Sequence, residues 1–225
     1  NHGTAPGAAL EKNGKCVIIL PGPPGELVPM FNESVRGFLK KYSDGAIVSH
    51  TVNIIGMGES SVAEEIEDMF DAKNPTVAPY AKSGEVRLRI TAKAETADEA
   101  DKMCAPVVDE ICSRLGDVVY DTDMNSIEER VVALLKEKGK KIATAESCTA
   151  GYIPKRLTDI PGASEVFECG IVSYSNDIKT KLLGVSPKTL ETYGAVSEQT
   201  AREMALGAKH VSGADIAIST TGLAG

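Results

Sequence analysis

The residues best equipped for chemistry lie in Thr144-Ala145-Glu146-Ser147-Cys148-Thr149-Ala150-Gly151. The run follows Lys141-Ile142-Ala143, reads as the end of a strand and opens a predicted helix. Ser147, Cys148 and Thr149 put two hydroxyls and a thiol at a strand-to-helix turn. Backbone N–H groups at such a turn point outward and favour an anion, so a nucleophile there sits beside a ready oxyanion site. The plain structural alternative is a helix cap, which Ser and Thr fill for hydrogen-bonding reasons of their own.

A serine hydroxyl needs an activator. One is offered by Ser173-Tyr174-Ser175-Asn176, at the end of a second predicted strand, followed by Lys179. A third strand ends at Thr221-Gly222. In open α/β sheets ligands gather at the carboxyl ends of strands, so three segments bring polar groups to one rim. A lysine desolvated enough to be neutral can take a serine proton. Tyr174 is placed to relay that proton or to orient the lysine. Ser147, Lys179 and Tyr174 are therefore the candidate catalytic residues. The competing readings are a solvated helix lysine for Lys179 and a one-face packing residue for Tyr174. Cys148 competes as nucleophile, because a thiol at a helix N-terminus is acidified. Neighbouring side chains on a helix diverge, so only one of Ser147 and Cys148 faces the pocket. His2, His50 and His210 sit at no comparable strand end.

Three modules carry these residues. In residues 1–43 a short apolar run, Cys16 to Leu20, reads as a buried strand, and Pro21-Gly22-Pro23-Pro24-Gly25 closes it. Helical spacing follows, with Leu27, Met30, Phe31, Val35, Phe38 and Leu39 on one face. The break at Ser43-Asp44-Gly45 marks a boundary. Residues 44–120 read β-α-β-β-α with one more short strand, a small α+β module. Its clearest element is 85–94, where Val86, Leu88, Ile90 and Ala92 alternate with Arg87, Arg89, Thr91 and Lys93. The basic stripe is most simply a solvated sheet face. In 121–225 strands at 141–145, 166–174 and 214–220 alternate with helices at 127–138, 147–157, 177–183, 187–193 and 197–211, which predicts a layered α/β domain. Ser126 with Glu129 forms a capping box for the first of these helices. The fold class is α/β throughout, apart from the middle module.

Composition bounds the partners. The 225 residues carry a formal net charge of -8, which argues against nucleic acid and anionic membrane. No apolar run reaches transmembrane length, and residues 1–13 do not read as a signal peptide. The five cysteines form no C-x-x-C pair, which fits reduced thiols in a cytoplasm and gives zinc no obvious site. Gly22 to Gly25 matches the G-x-x-G of a KH loop by letter, but two prolines fill its middle and no basic residue adjoins it. The chain opens inside one motif and closes inside a Gly-rich turn, so it is expected to be a piece of a longer protein.

Taken together, Thr144 to Gly151, Tyr174-Ser175-Asn176 with Lys179, and Thr221-Gly222-Leu223-Ala224-Gly225 resemble the C-terminal domain of the CinA (competence/damage-inducible) family. Gly3-Thr4-Ala5-Pro6-Gly7 and Leu20 to Glu26 resemble the second half of that family's molybdopterin-binding-like N-terminal domain. The middle module, with Asn74 to Tyr80, resembles its KH-type domain.

The resemblance implies that the longer protein is a nicotinamide mononucleotide amidohydrolase, which yields nicotinate mononucleotide and ammonia in pyridine nucleotide salvage. It implies Ser147 as nucleophile, Lys179 as base and Tyr174 as assistant. Glu146, Thr149, Asn176, Thr221 and Gly222 would line the substrate pocket. No cofactor is implied for the deamidase. A divalent metal and an ADP-ribose pyrophosphatase activity belong to the N-terminal domain of the longer protein, and this chain alone is expected to lack that activity. A homodimer that binds a small nucleotide is the implied assembly. The alternative class is a non-enzymatic nucleotide-binding or dimerisation fragment. One departure stands out: Ala150-Gly151 replaces the Gly-Gly usual in the family.

Overall fold

The computed structural model describes residues 3–42, 44–82 and 84–223. His2, Ser43, Ala224 and Gly225, all named above, lie outside the described residues. Two compact units emerge, one of Asn1–His50, Ala63–Tyr80 and Leu88–Arg114, the other of Thr51–Val62, Ala81–Arg87 and Leu115–Gly225.

Near the start, β1 (Ala8–Lys12) and β2 (Lys15–Ile19) form an antiparallel hairpin. The sequence reading missed β1 and expected 16–20 to be buried. Instead Val17 and Ile19 are exposed, because β2 alternates between an outward and a half-covered face. Helical backbone follows in α1 (Pro24–Met30), a wider π-type turn at Phe31–Val35 and α2 (Arg36–Leu39). Pro24 sits in the first turn of α1, where its missing N–H costs nothing.

The middle elements are β3 (Ala46–Ile55), α3 (Glu59–Glu65), β4 (Thr76–Lys82), β5 (Glu85–Ala94), α4 (Ala97–Leu115) and β6 (Val119–Thr122), with sheet order β4-β5-β3-β6. The alternation in β5 is realised: Val86, Leu88, Ile90 and Ala92 are buried. Its basic stripe is partly engaged, since Arg87 donates to Asn53 Oδ1 at 2.8 Å and to Asn125 O at 2.7 Å.

The remaining elements are α5 (Ile127–Glu137), β7 (Ile142–Glu146), α6 (Tyr152–Thr158), β8 (Phe167–Val172), α7 (Asn176–Leu183), α8 (Pro187–Tyr193), α9 (Glu198–Ser212) and β9 (Ile216–Thr220). Their sheet is parallel, in order β8-β7-β9. All five residues of β7 are buried, as a central parallel strand covered on both faces requires. Ile142 packs with Val132, Leu135 and Leu157 from α5 and α6. Ala145 packs on the other face with Leu183, Met204 and Ala208 from α7 and α9. This is the layered α/β arrangement expected. One difference bears on function: the helix expected from Ser147 begins only at Tyr152. Ala150 and Gly151 have φ of +50° and +96°, which helical backbone excludes.

Candidate functional site

The parallel sheet brings the carboxyl ends of its three strands to one edge. Ser147 follows β7, Ser173 follows β8 and Thr221 follows β9. The strand order reverses at β7, since the chain leaves it for β8 on one side and returns as β9 on the other. Such a reversal opens a crevice at the carboxyl ends.

Ser147 is held by its backbone N–H, which donates to Thr220 O at 3.0 Å across the β7–β9 boundary. Lys179 comes from α7. Ser175 caps that helix by accepting the Ile178 N–H, and Gly184 ends it in the left-handed region. The spacing from Lys179 to Leu183 turns both toward the sheet, so the lysine stem is buried while its tip reaches the strand ends. Lys179 is 1% exposed. Its Nζ lies 3.0 Å from Ser147 Oγ, 2.8 Å from Ser173 O and 3.1 Å from Tyr174 O.

That geometry fixes how the protons are shared in each charge state of the amine. An ammonium would donate to all three oxygens. A neutral amine has two N–H donors and one lone pair; the two carbonyls take the donors, and the lone pair is left for the Ser147 hydroxyl proton. Burial pushes the Lys179 pKa down from the usual lysine value, while the nearby Cys148 thiol acts in the opposite sense. Among the described residues Lys179 has no ion-pair partner to hold its charge.

The turn after Ser147 is tight. Ala150 N–H donates to Ser147 O and Tyr152 N–H to Thr149 O, at 3.2 and 3.0 Å. The N–H groups of Cys148, Thr149 and Gly151 have no acceptor among the described residues. They are donors free to meet a developing oxyanion.

The other expected site residues fall in different places. Tyr174 reaches Lys179 through its backbone carbonyl, while its side chain is 68% exposed and its phenol makes no hydrogen bond to the Ser147–Lys179 pair. Thr149 pairs its hydroxyl with that of Thr220 at 2.6 Å, and Thr221 donates its hydroxyl to Ala195 O at 2.7 Å. Asn176 is exposed in the first turn of α7. Gly222 lies against Cys148: a Cβ there would stand 3.1 Å from the thiol sulfur. Glu146 is fully buried. From sequence no role falls to Ser173 or Thr220, whose contributions are backbone carbonyls and a threonine pair that no side-chain motif announces. Among the described residues no group of three or more His, Cys, Asp or Glu converges to hold a metal ion. Nor, among the described residues, is any helix long and apolar enough to cross a membrane.

The family model "CinA C-terminal domain" matches residues 124–225, and "Damage-inducible protein CinA KH domain" matches 49–120. A Clostridium beijerinckii protein that carries the name competence-damage inducible protein is 56% identical over all of this chain. A CinA-like protein of Desulfovibrio desulfuricans is 50% identical over 99% of it. The chain spans 55% and 53% of these two relatives, about half their length. A solved competence/damage inducible protein of Agrobacterium tumefaciens is 47% identical over 44% of this chain and 59% of its own, with a TM-score of 0.43.

Proposed function

Because the chain belongs to the CinA (competence/damage-inducible) family, we propose that its β8-β7-β9 region is the site of a nicotinamide mononucleotide amidohydrolase. The observation that carries this reading is the 3.0 Å contact between Ser147 Oγ and a buried Lys179 Nζ whose other two partners are backbone carbonyls.

Neutral Lys179 takes the Ser147 proton as Oγ attacks the carboxamide carbon. The oxyanion is received by the free N–H groups of Cys148 and Thr149. Lys179 returns the proton to the departing amine, the C–N bond breaks, and ammonia leaves an ester on Ser147. Water then adds to that ester with Lys179 again as base, releasing the carboxylate and restoring the serine. Thr149–Thr220 and Thr221–Ala195 brace the rim from which the substrate is held.

Of the two candidate nucleophiles, the geometry favours Ser147, because its oxygen is the one within hydrogen-bond distance of Lys179. For the longer protein we propose pyridine nucleotide salvage in the cytoplasm, a homodimer, and a metal-dependent ADP-ribose pyrophosphatase in its N-terminal domain. The test of the deamidase is ammonia release from nicotinamide mononucleotide. The protein should release it and Ser147→Ala should not. Equal release by both would refute the reading.

A further inference from the structure

Glu146 ends β7 and immediately precedes Ser147. Its side chain is 0% exposed. Oε2 accepts the Ile153 N–H at 3.3 Å, while Oε1 has no hydrogen-bond partner among the described residues. Thr144 Oγ1, two residues earlier on the same strand face, is likewise buried without a partner among the described residues. On the neighbouring strand, a Cβ on Gly170 would stand 3.1 Å from that Thr144 oxygen and 2.6 Å from Pro154 Cγ, so α6 closes tightly over this face.

Burying a carboxyl group costs several kcal/mol unless hydrogen bonds replace its water, and one long bond replaces little of it. A polar group kept at such cost calls for an explanation. Substrate contact is a poor one, because the carboxyl lies sealed beneath the turn.

We infer that Glu146 is a positioning residue for the Ser147 turn rather than a substrate ligand. Its carboxyl spans residues 147–152 and ties the start of α6 to the end of β7, which fixes Ser147 and the free N–H groups between those two anchors. Its backbone carbonyl does a matching job on the other strand. It accepts the Ser173 N–H at 2.7 Å, and Ser173 O is the shortest acceptor of Lys179. One residue thus sets the nucleophile's turn with its side chain and the base's anchor with its backbone. This inference rests on the reading of Ser147 and Lys179 as a reacting pair.

Only one carboxyl oxygen is used, so the position calls for an acceptor at the right reach, not for a charge. Gln supplies that acceptor. Asp is one methylene short, and Ala has none.

The experiment measures two rates in Glu146→Gln, Glu146→Asp and Glu146→Ala: covalent labelling of Ser147 by a fluorophosphonate, and ammonia release resolved into kcat and KM. Asp and Ala should slow labelling and kcat by about 10²-fold, the usual cost of roughly an ångström of misplacement, with KM within about threefold. Gln should stay within about threefold on both. If Ala does not fold, Asp carries the test, since it keeps the charge and most of the volume. The inference is overturned if Asp is labelled at the wild-type rate, if Gln is as impaired as Asp, or if the variants raise KM at constant kcat. Wild-type labelling at Ser147 without ammonia release would refute the deamidase reading alone and leave the positioning role to be decided by the labelling series. No labelling of wild-type Ser147 would refute both.

Discussion

Replacing Lys179 by Met is the perturbation on which the proposed chemistry depends most directly. Methionine preserves the unbranched stem that packs beside Leu183 but removes Nζ and its three contacts. A positioned general base contributes about 10²–10⁴ in rate, or ~3–5 kcal/mol of barrier, so Lys179→Met should lose at least 10²-fold in ammonia release. The stability cost is much smaller. Ser147 Oγ and the carbonyls of Ser173 and Tyr174 each lose a hydrogen-bond partner, at about 1 kcal/mol apiece, while the desolvation of a buried amine is relieved. The net change should be within ~3 kcal/mol.

The pH dependence adds a second readout. Burial holds the folded pKa of Lys179 below the ordinary 10.5. Between the folded value and 10.5 the unfolded chain binds the extra proton. Stability is therefore greatest above 10.5 and falls as pH drops through the folded value, with a slope of at most ~1.4 kcal/mol per pH unit. Activity should rise with pH as Lys179 loses its proton and level off below 10.5. Lys179→Met should lack both dependences. The assay pairs ammonia release with thermal unfolding across pH. A Met variant within tenfold of wild type, or one with an unchanged pH profile, would refute the general-base reasoning.

Further outcomes follow from the same site and its supports. Cys148→Ser should keep ammonia release within a few-fold while Ser147→Ala abolishes it; the reverse result would make the thiol the nucleophile. Ala150→Gly should raise stability by about 0.5–1 kcal/mol, read from denaturant unfolding, because φ of +50° strains an alanine more than a glycine even after the entropy of the unfolded glycine is counted. Gly207→Ala should destabilise by more than 1 kcal/mol and lower kcat, because its Cβ would stand 2.0 Å from Leu183 O and push apart α9 and the helix that carries Lys179. Ser126→Ala should cost about 1 kcal/mol in the same unfolding assay, through loss of the Glu129 N–H cap, with ammonia release unchanged.

Much of this molecule can be read from residue order alone, and the reason is that the signals involved are local. Period-two alternation specified β5, with Val86, Leu88, Ile90 and Ala92 on the buried face. Ser126 announced its helix because a cap is a contact between residues three apart. Alternating strands and helices implied parallel strands whose carboxyl ends share an edge, the edge where Ser147 follows β7, Thr221 follows β9 and Lys179 Nζ meets Ser147 Oγ.

What the sequence left open depends on contacts between distant segments. Whether Ser147 or Cys148 meets the lysine is decided by a backbone bond to Thr220 and by Gly222 lying against the thiol. Tyr174 serves Lys179 through its carbonyl because the chain after β8 turns its phenol outward, which no residue type encodes. The five-residue delay in α6 arises from the turn that Ala150 and Gly151 adopt at positive φ, packed over a sealed Glu146. Chemistry-bearing residue types and their strand ends are properties of the chain; which atom of each faces the reaction is a property of the packing.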